Sequence, residues 1–244
     1  MEYDNYCIGD RELPYKFIFV TGACRSGKTT FSRIMGSMKN VEWIEEPYEL
    51  SLLLKSIQLA DIDDVQSNYW RKELFQGICK ELVNSTVLLR NGNFRPEDLS
   101  SIWRYKEGEE IFQRLVNICT RNQVQDFIKK NNSYFVIDIP GILGSASFIK
   151  NVCESIKIIH VVRNPYDVAE AIYQKHWYSD ERVQHPESNS IFRKYCENEI
   201  VYYVPWWCEE GREQDFILAT EYERGILYWI YTVGGVQAIV IRMI

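Results

Sequence analysis

The chain has 244 residues, 46% hydrophobic and 25% charged, with a formal net charge of −6 at pH 7. That length houses one α/β domain with a full core and is short for two. The acidic balance excludes a general nucleic-acid binder, whose phosphate contacts need a basic face, yet leaves room for a local basic pocket.

The N-terminus, Met1 to Ile8, is acidic and has no long apolar run, so it does not read as a secretory signal. The seven cysteines are scattered, with no CxxC pair and no ligand-like histidine spacing. They read as reduced thiols of a cytoplasmic protein, not as a disulfide or zinc framework, and no metal site is expected. Phe17–Val20 is a short apolar run that predicts a buried strand. Gly22-Ala-Cys-Arg-Ser-Gly27-Lys28-Thr29 follows and satisfies GxxxxGK[ST]. Beyond it, Phe31, Ile34, Met35 and Met38 fall on one face at helical spacing. Glycines let backbone N–H groups curl around an anion, and the helix N-terminus adds roughly half a positive charge there. Strand, loop and helix in that order predict a phosphorylated ligand.

Val41–Ile44 alternates like a short strand and runs into Glu45-Glu46-Pro47. From Tyr48 to Lys130 the pattern is mostly helical. Trp70, Leu74, Phe75, Ile78, Cys79 and Leu82 form one stripe, and Ile111, Phe112, Leu115, Val116 and Cys119 another, both expected to face a core. Asn91-Gly92-Asn93 reads as a turn between them. Tyr134–Asp138 and Ser155–Val162 are apolar runs of the kind buried in parallel sheets. The second ends in Arg163-Asn164-Pro165 and a helix to about Gln174. Segment 176–212 is polar with aromatic islands and is expected to form loops over the site. A long amphipathic helix through Tyr231, a Gly234-Gly235 turn and a strand-like Val236–Ile244 close the chain. Ending there, the chain reads as a C-terminally shortened piece. The tail's glycines, Gln237 and Arg242 argue against a membrane span. Alternating strands and helices predict a three-layer P-loop α/β fold, a central parallel sheet flanked by helices, as one domain over 1–244 with a helical insertion at about 50–130.

Arg163 is delivered to the carboxyl end of its strand, and its fork-shaped guanidinium suits a phosphate. The plain alternative pairs it with Asp167. His160 lies mid-strand and reads as a satisfied core histidine. His176 and His185 fall among the loops, where nothing singles them out. Trp206 and Trp207 suit stacking on a ring, or burial.

These residues resemble a family. Val161-Val-Arg-Asn-Pro-Tyr-Asp-Val-Ala-Glu-Ala-Ile-Tyr173 is similar to the 3′-phosphate-binding segment of sulfotransferases that use 3′-phosphoadenosine 5′-phosphosulfate. Val20–Thr30 resembles their 5′-phosphosulfate loop, and Val41–Tyr48 the strand that ends in their catalytic carboxylate. The interval from Arg25 to Glu46 matches that of the protein-tyrosine enzymes without a gap. The resemblance implies Glu46 as general base toward an acceptor hydroxyl; Glu45, facing the other way along an extended segment, yields to it on the resemblance alone. It implies Lys28 and Arg25 as charge stabilisers, and Gly22, Arg25, Ser26, Gly27, Lys28, Thr29 and Thr30 around the 5′-phosphate. Arg163 is implied on the 3′-phosphate. The partners implied are the nucleotide and a hydroxyl-bearing acceptor, be it sugar, lipid headgroup, phenol or peptide tyrosine, with no nucleic acid and no membrane span. The sequence departs at Lys28, where the family usually has threonine, at Ala171 instead of a phosphate-binding serine, and at Asp138, where many members carry lysine.

Two other readings stay open. Lys28, Thr29 and Asp138 suit an ATP- and Mg²⁺-dependent small-molecule kinase, with Lys28 on the phosphates and the other two on the metal; Glu46-Pro47 also resembles the base segment of deoxynucleoside kinases. A nucleotide-binding module without turnover is the third.

Overall fold

The computed structural model describes residues 13–59, 65–90, 94, 95, 97, 101–186 and 192–234. The Asn91–Asn93 turn and the segment after Gly234 lie outside the described residues. By its own packing the chain resolves into two compact units. One draws on Met1–Val20 and Thr29–Ile159, the other on Thr21–Lys28 and His160–Ile244.

The sheet is α/β in type: β1 (Lys16–Gly22), β2 (Val41–Glu45), β3 (Tyr134–Asp138) and β4 (Lys157–Val161) form a parallel four-stranded sheet flanked by helices, in the order β2-β3-β1-β4. β3 runs between β1 and β2, with Phe17 beside Phe135 and Ile44 beside Ile137. Period-two alternation therefore puts Phe17, Phe19, Ile44, Phe135 and Ile137 on one face. Against them pack α2 (Tyr48–Leu59), α3 (Val65–Val87), α5 (Arg121–Asn131) and α6 (Ala146–Val152), through Leu50, Leu54, Phe75, Cys79, Val83, Val124, Ile128 and Ile149. α5 starts at a capping box made by Thr120 and Gln123 and stops at left-handed Asn132.

Two helical stripes sort differently from the sequence expectation, and the apolar face of α1 is exposed as well. In α1 (Lys28–Gly36), Phe31, Ile34 and Met38 are exposed, and the face turned inward is Ser32 and Gly36. A Cβ on Gly36 would stand 2.7 Å from that of Trp43, so the helix comes too near β2 for larger side chains. In α3 only the later part of the stripe is covered; Trp70 and Leu74 face solvent. In α4 (Gly108–Asn117), Phe112, Leu115 and Val116 are exposed, while Ile111 and Arg114 are buried. The cause is an ion pair: Arg114 Nη1 donates to Glu42 Oε2 at 3.0 Å, its Nη2 to the other oxygen, and both side chains are nearly inaccessible. A buried charge needs its partner, and that pairing outranks the apolar stripe in setting the helix's rotation.

The second unit holds α7 (Pro165–Tyr173), α8 (Asp180–Gln184), α9 (Glu213–Leu218) and α10 (Glu221–Gly234). Segment 176–212 is not loops alone. β5 (Phe192–Glu197) and β6 (Ile200–Pro205) pair antiparallel, joined through Asn198 and Glu199. Both have positive φ, 48° and 65°, the geometry that suits a tight right-twisted hairpin. Neither strand alternates cleanly: β5 mixes Arg193, Lys194 and Glu197 with apolar residues, and β6 passes from exposed Ile200 and Val201 to buried Val204 and Pro205, which hid the strands in the sequence. Trp207, Phe216, Tyr228, Val204, Val168 and Ile172 form the unit's core, with Trp177, Tyr178 and Trp206 packed against it. His160 is a correction as well: its Nε2 is buried with no hydrogen-bond partner, and burial holds its pKa below the ordinary 6.5.

Candidate active site

Within the second unit, the loop after β1 is shaped by three residues with positive φ: Gly22 (151°), Arg25 (66°) and Gly27 (94°). Gly22 admits no other residue. A Cβ there would lie 2.3 Å from the Val161 carbonyl oxygen and 3.0 Å from Ser26 Oγ. The Ser26 N–H closes a turn onto the Ala23 carbonyl at 3.2 Å. Ser26 Oγ is itself buried without a hydrogen-bond partner. An orphaned hydroxyl inside a loop of curled backbone is what an anion would satisfy, so the residues present fit a phosphate group. Lys28 is buried and opens α1; Arg25, Gly27 and Thr30 are exposed.

Arg163 follows β4 in the same unit. Its Nη1 donates to the Arg25 carbonyl at 3.2 Å, and its Nε lies 3.5 Å from Asp167. The Asp167 pairing named as the plain alternative is thus present, but half-exposed and weak in kind. Both contacts coexist. Asn164 caps α7 by accepting from the Tyr166 N–H, with Pro165 in the first helical position. Ala171 sits half-buried on α7 and offers no hydroxyl.

Two residues that the sequence reading passed over hold this apparatus. Tyr228 of α10 accepts from the Cys24 N–H at 2.9 Å, and the Trp229 indole donates to the Arg163 carbonyl at 2.8 Å. In the sequence they are ordinary members of a helical apolar run, and no pattern marks them. His176 pairs with Glu221, its Nδ1 3.2 Å from Oε1, and His185 ends α8. Trp206 and Trp207 pack edge-on and tilted against Tyr231, at 5.8 and 5.9 Å.

In the first unit, Glu46 stands one residue past β2, exposed, with its N–H on the Asp138 carbonyl at 2.9 Å. Its φ is +36°, a region that favours glycine and costs other residues of order 1–3 kcal/mol. Glu45, beside Asp138 in register, is half-buried. Asp138 is fully buried and doubly engaged. Its Oδ1 accepts from the Trp43 indole at 3.1 Å and its Oδ2 from the Thr29 hydroxyl at 3.0 Å. Asp138 is therefore a hydrogen-bond hub and not merely a strand-end turn residue. Among the described residues, no three His, Cys, Asp or Glu side chains stand together as a metal site, and no helix is long and apolar enough to cross a membrane.

A family model described as the sulfotransferase family matches residues 18–203. No curated protein and no solved structure matches. The matched stretch takes in the Gly22–Thr29 loop, Glu46, Asp138 and Arg163 in one run and stops before α9 and α10. A parallel α/β sheet, a phosphate-type loop after its first strand and that match across most of the chain agree: the protein belongs to the sulfotransferase family, enzymes that transfer sulfate groups.

Proposed function

We propose that this enzyme moves a sulfuryl group from 3′-phosphoadenosine 5′-phosphosulfate to an acceptor hydroxyl, as one catalytic domain of the cytoplasm. Glu46 takes the hydroxyl proton while the oxygen attacks sulfur in line. The bond from sulfur to the 5′-phosphate oxygen breaks, and a sulfate ester and adenosine 3′,5′-bisphosphate leave. Lys28 and Arg25 offset the charge that grows on the sulfuryl and on the departing phosphate. Gly22, Ser26, Gly27, Thr29 and Thr30 surround that phosphate, and Arg163 takes the 3′-phosphate. The helical segment 50–130 shapes the acceptor side.

One observation supports this reading above the others: Arg163 touches the carbonyl of Arg25 within the second unit. A nucleotide phosphorylated at both ribose ends asks for a second cation next to the first anion loop. A triphosphate with magnesium gives Arg163 no task. The kinase reading has its own support in the contact between Thr29 and Asp138, a hydroxyl beside an acid such as a magnesium nucleotide uses. Against it, the Trp43 indole already holds the other Asp138 oxygen.

Thermal unfolding separates the two. Adenosine 3′,5′-bisphosphate in metal-free buffer is expected to raise the melting temperature more than ATP with magnesium. At about 100 times Kd, a ligand bound only to the folded state adds about 2.7 kcal/mol. The reverse order, with protection that vanishes on adding a chelator, overturns the sulfotransfer mechanism in favour of the kinase.

A further inference from the structure

We infer that Tyr228 and Trp229, neighbours on α10, are the positioning residues of the two anion-binding groups, one for the 5′-phosphate loop and one for the 3′-phosphate arginine. The inference rests on the cosubstrate proposed above and lies beyond the stretch that the family model matches.

α10 is itself held fast. Its first turn is capped reciprocally, with the Thr220 N–H on Glu223 at 2.8 Å and the Glu223 N–H on Thr220 Oγ1 at 3.3 Å. Arg224, buried, donates to the carbonyls of Phe216, Ile217 and Tyr178, at 2.9, 2.8 and 2.8 Å, and to Asp180 at 2.7 Å. Gly225 then lets the helix lie against α7, since a Cβ there would come 2.9 Å from Ala169 Cα. Both helices are thereby locked in mutual position before the next turn begins.

That turn carries the two residues. Successive helical positions are rotated by about 100°, so neighbours point in different directions. Tyr228 is buried, its ring packed at 5.4 Å from Trp207 and 6.0 Å from Tyr178. Its hydroxyl alone reaches the loop, where it accepts the Cys24 N–H. The Cys24 amide is thus turned toward α10, which orients the loop at its midpoint. Trp229 reaches Arg163, two residues past β4, and anchors its backbone by the carbonyl. The guanidinium of the same residue returns to the Arg25 carbonyl. A single helical turn therefore sets where both phosphate-binding groups begin. Simple packing does not explain this arrangement: rings alone would fill the space, yet each ring places its one polar atom on a backbone group of the anion apparatus.

Conservative variants test it by calorimetric titration with adenosine 3′,5′-bisphosphate and adenosine 5′-phosphosulfate. Tyr228→Phe keeps the ring and removes the hydroxyl that accepts the Cys24 N–H. It is expected to weaken both ligands by the same factor, about tenfold, because both use the 5′ site. Trp229→Phe is expected to weaken the bisphosphate about fivefold and leave the phosphosulfate unchanged, reducing discrimination at the 3′ end. A ratio of the two affinities that holds in Tyr228→Phe and shifts in Trp229→Phe is a contrast that general loosening of the core does not produce. Wild-type affinity in both variants overturns the inference alone, as does a loss that is the same for both ligands in both variants. Wild-type protein that binds neither ligand overturns the cosubstrate reading and takes the inference with it.

Discussion

In the first unit Phe19 and Phe75 stack at 6.1 Å, ring on ring, inside a core of aliphatic and phenyl side chains. In the second, Trp207 and Tyr178 meet edge-on at 5.5 Å, and the Trp207 indole N–H donates to the Tyr178 hydroxyl at 3.0 Å. Both interiors exclude water, but in the second the packed aromatic rings are themselves joined by directional bonds. Burial of carbon is insensitive to orientation and supports a sheet wherever enough area is removed from water. A hydroxyl or indole tip demands its partner at one angle and distance. The unit that carries the anion loop is the one whose core is built from such tips. Among the described residues the first unit keeps its buried charged groups in two places, the Glu42–Arg114 pair and the Asp138 hub, both attached to β2, the strand that leads to Glu46.

That contrast is broken hardest at Arg114. Arg114→Met strands the Glu42 carboxylate in the interior and is expected to cost about 3–5 kcal/mol in denaturant unfolding, with Glu42→Leu added to it restoring most of the loss. A cost below about 1 kcal/mol would mean the pair does not organise the first unit. Glu46→Gln, in turn, is expected to lower turnover by at least about 100-fold while the nucleotide still binds; normal turnover removes Glu46 as the base. Arg163→Ala probes the second unit and is expected to weaken adenosine 3′,5′-bisphosphate about 10- to 100-fold, with adenosine 5′-phosphosulfate far less affected. Equal losses place the 3′-phosphate elsewhere.

The smallest effects sharpen the difference between the cores. Tyr178→Phe leaves a buried indole N–H unpaired and is expected to cost about 1–3 kcal/mol, read by chemical unfolding. Burial pushes the Tyr178 and Tyr228 phenols well above their ordinary 10.0. The unfolded chain therefore releases these protons first as pH rises past about 10, so it holds fewer protons than the folded one and stability falls with further rise in pH. Tyr178→Phe removes one such group and is expected to flatten the decline above pH 10; an unchanged slope means the phenol is not protected by the fold.

Much of the site was legible. Gly22 and Gly27 stand where the loop needs positive φ, and Arg163 lies two residues past β4, the strand expected from the run Ser155–Val162. Less visible was anything decided by partners distant in sequence. The exposed Phe112, Leu115 and Val116 mislead because a helical stripe records only its own period, whereas Arg114 answers to Glu42, 72 residues earlier. Nothing near Asp138 in the sequence marks Trp43 and Thr29 as its partners, 95 and 109 residues away. The hairpin in 176–212 escaped because burial in β6 rises along the strand, from exposed Ile200 and Val201 to buried Val204 and Pro205, so no period of two appears.

The amino-acid order alone determined the elements and the chemistry they can hold: short apolar runs for strands of a parallel sheet, a glycine-bearing loop between strand and helix, an arginine at a strand end, all local in origin because backbone sterics and side-chain periodicity act within a few residues. Tertiary structure alone decided which helix faces are wetted, that Asp138 gathers Thr29 and Trp43, and that Tyr228 and Trp229 reach Cys24 and Arg163. Those outcomes depend on hydrogen bonds and ion pairs between residues far apart along the chain, and a buried polar atom takes whichever partner the packed fold brings to it.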